Sequence, residues 1–172
     1  MIRPPGIYGP RNVDDISCYF ITSFAKKSLA TMMLIGSGSN VVKFVHVKDA
    51  AQGFYLALEK DSSWGLTYFI SENGWHSYPE VYKILSGITG RKAPTVTVPK
   101  QMAKALVYPV HLARIASGNW HFMWDPKTVD AVTTDRAYSI EKARKELGYT
   151  PRYSLEEGLR ETVQWYRQNG MI

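Results

Sequence analysis

The chain has one cysteine, Cys18, among 172 residues. No internal disulfide can form, and a lone thiol fits a reducing compartment, so the cytoplasm is the expected location. No apolar run approaches the roughly 20 residues needed to cross a bilayer, and no membrane partner is expected. The opening Met1-Ile2-Arg3-Pro4-Pro5 lacks the apolar stretch and small-residue cleavage site of a secretory signal. There is no Gly-x-Ser-x-Gly elbow for hydrolase chemistry. His111 and His121 have no second ligand at metal-like spacing, which argues against zinc. Repeats, low-complexity tracts and a convincing internal linker are also missing.

What is present reads as one globular unit over 1–172, with 45% apolar and 21% charged residues and length enough for a sizeable core. The net charge of +6 is scattered over Lys26-Lys27, Lys43, Lys48, Arg91-Lys92, Arg114, Arg144-Lys145 and Arg160. Several of these fall beside Glu141, Glu146, Glu156, Glu157 and Glu161. Nucleic-acid binding calls for clustered bases interleaved with aromatics. The pattern fits a solvated surface first, attraction of a small anion second, and nucleic acid is not expected as a partner.

The stretch RPPGIYGPR (3–11) predicts a stiff loop. Asp14 or Asp15 can cap a helix whose apolar side is Ile16, Phe20, Ile21 and Phe24, with Lys26-Lys27 near its last turn. MMLIGSGSNVVKFVHV predicts two short strands around a turn at Gly36–Asn40, a hairpin or a connector. Asp49 is placed to cap a helix over 50–60 with an apolar stripe of Ala51, Phe54, Tyr55 and Leu58. LTYFIS and TVTV (95–98) predict strands. Ser77 with Glu80 forms a capping box for a helix running towards Gly87 or Gly90. Pro99 opens a helix through Ile115, which Pro109 should kink or divide. From Ala116 the pattern blurs, with Trp120, Phe122, Met123 and Trp124 close together. Ser139 then caps a helix over 140–147, stopped by Gly148. Ser154 with Glu157 boxes a last helix carrying Leu155, Leu159, Val163 and Tyr166. Strands alternating with helices argue an α/β fold.

Four blocks, RPPGIYGPR, FVHVKDAAQGFYLALE, YFISENGWHSYPEV and YSIEKARKELGYTPRYSLEEGLRETVQWYR, resemble in that order the C-terminal half of extended short-chain dehydrogenases/reductases. That group includes NAD-dependent epimerases/dehydratases and 3β-hydroxysteroid dehydrogenase-like enzymes. The resemblance implies the C-terminal part of a Rossmann-type fold with its small substrate domain, lacking the N-terminal nucleotide-binding half. It places 3–10 near the nicotinamide end of the cofactor, with Pro4, Gly6, Ile7 and Tyr8 as cofactor contacts. Arg11, Lys43, His46, Trp120 and Trp124 are the substrate-side candidates. The family's Gly-rich loop and Tyr-x-x-x-Lys pair would both precede Met1, so no catalytic residue is expected here. NAD or NADP would serve the intact parent and not be held tightly by this chain.

Two local matches are set aside. Gly36-Ser37-Gly38 lacks the third glycine of a dinucleotide loop and sits between strands. Tyr138 and Lys142 match Tyr-x-x-x-Lys, but Tyr138 precedes the cap Ser139, so the two would not share a helix face. For His46 and Asp49 the favoured roles are a buried, hydrogen-bonded core histidine and a helix N-cap, ahead of any ligand role. By resemblance, an arginine that meets substrate phosphate in sugar-nucleotide epimerases is replaced here by Val42, with Lys43 beside it as a substitute point charge. The aromatic group at 120–124 fits a substrate pocket or a satellite core equally.

Three functional readings follow. The first is the substrate portion of an NAD(P)-dependent sugar-nucleotide epimerase/dehydratase-like oxidoreductase, inactive alone. The second is a non-catalytic binding module. The third is the corresponding portion of a 3β-hydroxysteroid dehydrogenase or dihydroflavonol-reductase-like enzyme, with a sterol- or flavonoid-like substrate. An apolar face such as Ala51/Phe54/Leu58 without its usual cover predicts self-association.

Overall fold

Short strands and longer helices alternate along the chain in the computed structural model, which describes residues 1–28, 31–119, 121 and 124–172. Trp120, Phe122 and Met123 lie outside the described residues. The opening stretch, expected as a loop, instead contains two strands, β1 (Ile2–Arg3) and β2 (Gly6–Tyr8), because distant strands pair with them; helix α1 (Ile16–Ala25) follows. The Asp15 carboxylate caps α1 by accepting from the Ile16 N–H. Ile21 and Phe24 are buried as expected, whereas Ile16 is exposed. Lys26 is the C-cap and Lys27 adopts φ 58°, so the basic pair sits just past the last turn rather than in it.

The segment around Gly36–Asn40 is a connector. β3 (Met33–Ile35) runs parallel to β8 (Val96–Val98), while β4 (Val41–Val42) pairs antiparallel with β7 (His76–Ser77). After Lys43 the chain enters β5 (Phe44–His46), parallel to β2. β1 runs parallel to β6 (Tyr68–Phe69) and is paired on that side only among the described residues.

Helix α2 (Val47–Leu58) begins two residues before the expected cap, at the end of β5. Asp49 does not cap it; its carboxylate accepts from the backbone N–H groups of Arg152 and Tyr153 at 3.1 Å. The expected apolar stripe is also on the wrong side. α2 turns its small residues Ala50 and Gly53 inward, and a Cβ on Gly53 would meet Ile70 Cδ1 at 2.8 Å. Helix and strand approach too closely for bulk, so Ala51, Phe54, Tyr55 and Leu58 face outward.

Helix α3 (Tyr78–Thr89) has its capping box, with Ser77 N–H donating to Glu80 at 2.7 Å, and ends at Gly90 in the left-handed region (φ 71°). Helix α4 (Lys100–Ala116) continues through Pro109 undivided. Helix α5 (Pro126–Val132) lies in the stretch without a clean period. The sequence reading missed its start, although the signal is there: Asp125 accepts from Lys127 N–H at 2.8 Å, with Pro126 at the first helical position. Helix α6 (Glu141–Leu147) starts one residue later than expected, with Ser139 Oγ still accepting from Glu141 N–H at 3.3 Å. Helix α7 (Leu155–Gln168) carries the second capping box.

Among the described residues, three clusters form the core. Tyr8 and Ile21 join α3 and α7 in the largest, through residues such as Leu85, Leu159 and Val163. Val45, Ile70 and Leu147 anchor a second between β5, α2 and α6. Val98, Ala103 and Val129 make a small third beneath α4 and α5.

Candidate functional site

Residues 3–12 form a wall tied from behind. The Ile7 carbonyl accepts from Asn12 Nδ2 at 2.9 Å and from Ser17 Oγ, while Asn12 Nδ2 also reaches Ser17 Oγ at 2.8 Å. Tyr166 OH donates to the Asn12 carbonyl at 2.8 Å. The stiffness expected from the prolines is thus reinforced by side chains of α1 and α7. Gly9 (φ 143°) needs its missing side chain, because a Cβ there would strike Val47 Cγ1 at 2.5 Å.

The cofactor-side candidates divide. Pro4, Gly6 and Ile7 are half-buried and keep some surface. Tyr8 is 1% exposed, and its ring packs against Gly158 and edge-on to Phe44 and His46. Burial, with Glu72 and Asp49 adding to it, pushes the Tyr8 phenol far above its usual range. Its hydroxyl is buried with no hydrogen-bond partner. Tyr8 is a core residue in this arrangement.

Lys43 and His46 bracket β5, and they share no partner. Lys43 is 6% exposed. Its Nζ donates to Ser71 Oγ at 3.2 Å and to the Glu72 carbonyl at 3.3 Å, and lies 4.4 Å from the centre of the Trp75 ring. Burial pulls its pKa down, opposed by Glu72. Glu72, itself buried, accepts from Phe44 N–H at 3.1 Å and faces His76 Nε2 at 3.6 Å, an ion-pair distance rather than a hydrogen bond. That contact raises the His76 pKa. A lysine so enclosed does not present a free charge to a substrate phosphate.

His46 is fully buried, stacked on Tyr153 at 3.9 Å between ring centres. Its Nε2 is 3.5 Å from Glu161 Oε2, and Glu161 is held in turn by Lys48 at 2.7 Å, which also donates to Tyr153 OH at 3.0 Å. Desolvation lowers the His46 pKa against the pull of Glu161 and Asp49. His46 is a core histidine as expected, but not a hydrogen-bonded one: neither ring nitrogen has a hydrogen-bond partner among the described residues. Arg11 is exposed with φ 69°, and no ion pair to it forms among the described residues. Trp124 is half-buried ahead of α5, its N–H donating to the His121 carbonyl at 3.0 Å. Trp120 falls outside the described residues.

Sequence reasoning missed Glu72, Tyr153 and Glu161. Each acts across long sequence separation, and no local pattern marks it. Tyr138 and Lys142 are indeed apart in role: Tyr138 stacks on Phe69 at 4.7 Å, while Lys142 lies over Tyr68 at 4.8 Å.

A dinucleotide needs a helix N-terminus free for its pyrophosphate. Here α1 and α5 are capped by Asp15 and Asp125, and α2, α3, α6 and α7 carry Asp49, Glu80, Glu141 and Glu156-Glu157 in the first turn. α4 follows Pro99, with no glycine before it. Among the described residues no helix start fits pyrophosphate. No three His, Cys, Asp or Glu side chains gather as a metal site among the described residues.

Residues 7–162 match the family model described as GDP-mannose 4,6 dehydratase. The chain is 30% identical to sterol-4-alpha-carboxylate 3-dehydrogenase, decarboxylating, of Mus musculus, over 95% of its own length and 46% of that protein. It is 28% identical to short-chain dehydrogenase/reductase family 42E member 1 of Bos taurus, over 98% of this chain and 44% of that protein. The chain therefore spans about half the length of the curated relatives it matches. UDP-glucuronic acid 4-epimerase from Bacillus cereus, solved in complex with NAD, superposes with a TM-score of 0.64 at 20% identity, covering 98% of this chain and 44% of that one. At that identity the likeness carries the fold alone.

Proposed function

The chain belongs to the GDP-mannose 4,6 dehydratase family, within the extended short-chain dehydrogenases/reductases, and we propose on that footing that it is the C-terminal, substrate-side portion of an NAD(P)-dependent oxidoreductase. In this reading 1–172 forms one unit that shapes a pocket, and the nucleotide-binding half supplies the pyrophosphate loop and the proton-transferring Tyr-x-x-x-Lys. Two features support it: acid at nearly every helix start, and a parallel strand, β1, with one open edge on which a further strand can pair. Pro4, Gly6 and Ile7 would offer backbone and ring surface to the nicotinamide end.

The substrate reading turns on Lys43. Its ammonium is enclosed by Ser71, Glu72 and Trp75, which weighs against a nucleotide-sugar phosphate at that position. The sterol dehydrogenase relative favours an apolar, ring-shaped secondary alcohol instead. We therefore place the steroid-like substrate ahead of the nucleotide sugar. Calorimetric titration of the purified chain with NAD(H) and NADP(H) is expected to show no saturable binding and no turnover. The longer protein carrying this chain is expected to oxidise a 3β-hydroxysteroid in preference to a UDP-sugar. Cofactor turnover by the 172-residue chain alone would overturn the first expectation, and a UDP-sugar preference the second.

A further inference from the structure

Five asparagines occur in the chain, and two of them, Asn73 and Asn169, precede a glycine. The side chain of an asparagine can be attacked by the backbone nitrogen of the residue that follows it. A glycine leaves that nitrogen unshielded, whereas Asn12, Asn40 and Asn119 are followed by valine, valine and tryptophan. Both Asn-Gly pairs are exposed, so sequence and exposure do not separate them. Their hydrogen bonds do.

At the end of α7 the pair is held. Gly170 N–H donates to the Arg167 carbonyl at 3.3 Å, and Asn169 Nδ2 donates back to the Trp165 carbonyl at 2.8 Å. Nucleophile and electrophile are thus both engaged in the helix terminus. Between β6 and β7 the pair is open. Gly74 (φ 91°) has no atom within 4 Å of where a Cβ would stand, and its N–H makes no hydrogen bond among the described residues. The Asn73 carboxamide accepts at Oδ1 from Arg144 Nη2 of α6. That oxygen takes up negative charge when a nucleophile adds to Cγ, and a guanidinium beside it lowers the barrier to that addition.

We propose that Asn73–Gly74 is a self-modification site at which Arg144 promotes deamidation of Asn73. The Gly74 nitrogen bonds to Asn73 Cγ, the Cγ–Nδ2 bond breaks, and ammonia leaves with the proton of the Gly74 N–H. Water then adds to one of the two carbonyls of the succinimide ring and cleaves its C–N bond, leaving aspartate or isoaspartate. No electrons are gained or lost, and water is the co-reactant. Either product sets a carboxylate beside Arg144, which the cation stabilises.

The place of the pair gives the change a consequence. The chain is anchored on either side: Glu72 N–H donates to the Phe44 carbonyl at 3.0 Å, and Trp75 covers Lys43 Nζ at 4.4 Å. Isoaspartate routes the backbone through Cβ and Cγ, which adds a carbon between those anchors. Trp75 then loses its seat, and the enclosed Lys43 ammonium opens to solvent.

The test is incubation of the purified chain at mildly alkaline pH, folded and in denaturing urea, followed by peptide mapping with mass spectrometry. Arg144→Gln is treated in the same way; Arg144 is exposed, so the fold should persist, which thermal melting checks. In the folded chain Asn73 is expected to convert about tenfold faster than Asn169, whose reaction must first break the bonds that hold it. In urea the two rates should converge. Arg144→Gln should slow Asn73 several-fold in the folded protein and leave its rate in urea unchanged. Lys43 should become open to an amine-acylating reagent in step with isoaspartate. Equal rates in the folded chain, or a preference that survives in urea, would overturn the proposal. An Arg144→Gln variant that converts as fast as the parent would overturn the part given to the arginine, and a Lys43 that stays unlabelled as isoaspartate accumulates would overturn its opening. None of these results depends on the redox reading.

Discussion

At the residue scale, buried polar groups decide more than the exposed candidates do. Asp49 is 2% exposed and takes two backbone N–H groups from the segment before α7. Asp49→Ala should leave those donors unpaired and cost about 2–4 kcal/mol in a urea unfolding experiment; a loss below about 1 kcal/mol would mean water replaces the carboxylate. His46 and His76 should pull in opposite directions with pH. Burial holds His46 below its ordinary 6.5, so on acidification the unfolded chain takes the proton first. Its contribution is full above 6.5 and is lost as pH falls through the folded value. His76 is raised above 6.5 by Glu72, so its contribution is full below 6.5 and is lost as pH rises through the folded value. Unfolding midpoints measured from about pH 5 to 8 should therefore show a shallower acid limb in His46→Leu and a steeper one in His76→Gln. Identical limbs in parent and both variants would refute the assignment.

At the element scale, the smallest residues fix how helices meet strands. Gly158 lets α7 sit directly on the Tyr8 ring, where a Cβ would lie 2.8 Å from Cε2. Gly158→Val should overpack that contact and lower stability by about 2–3 kcal/mol, read as a shift in denaturant midpoint without change in slope. Gly53 does the same for α2 against Ile70, and the consequence is visible on the other side of that helix. Periodicity found a helix over 50–60, close to the observed 47–58, but assigned the wrong face to the core. Close approach rewards a small side over a large one, and a helical wheel does not carry that information. α4 likewise leaves Met102, Leu106, Leu112 and Ile115 exposed.

At the scale of the whole molecule, several surfaces lack cover among the described residues, and two of them bear on self-association. Among the described residues β1 is paired on one side only, and α2 leaves Leu58 78% exposed beside Phe54 and Tyr55. In the parent enzyme proposed above, the nucleotide-binding half would cover them; in this chain by itself, a second copy is expected to. Light scattering should give a mass that rises with concentration and returns to monomer in a Phe54→Glu/Leu58→Glu variant. A monomer at all concentrations would remove this expectation.

The α/β alternation, both capping boxes and the stop at Gly148 follow from neighbours within a few residues, whereas β1 and β2, in a stretch expected as a loop, are strands only because β6 and β5, far along the chain, pair with them. The local features were therefore legible before any coordinates, as was the family, whose motifs are contiguous stretches. Partners far apart in the chain were not legible: Asp49 with Arg152, Lys43 with Glu72 and Trp75, His46 with Tyr153 and Glu161. Whether a charged side chain is a free ligand group or a sealed internal one depends on what folds over it. For Lys43 and Tyr8 only tertiary packing made that choice, because burial is a property of the neighbours and not of the residue.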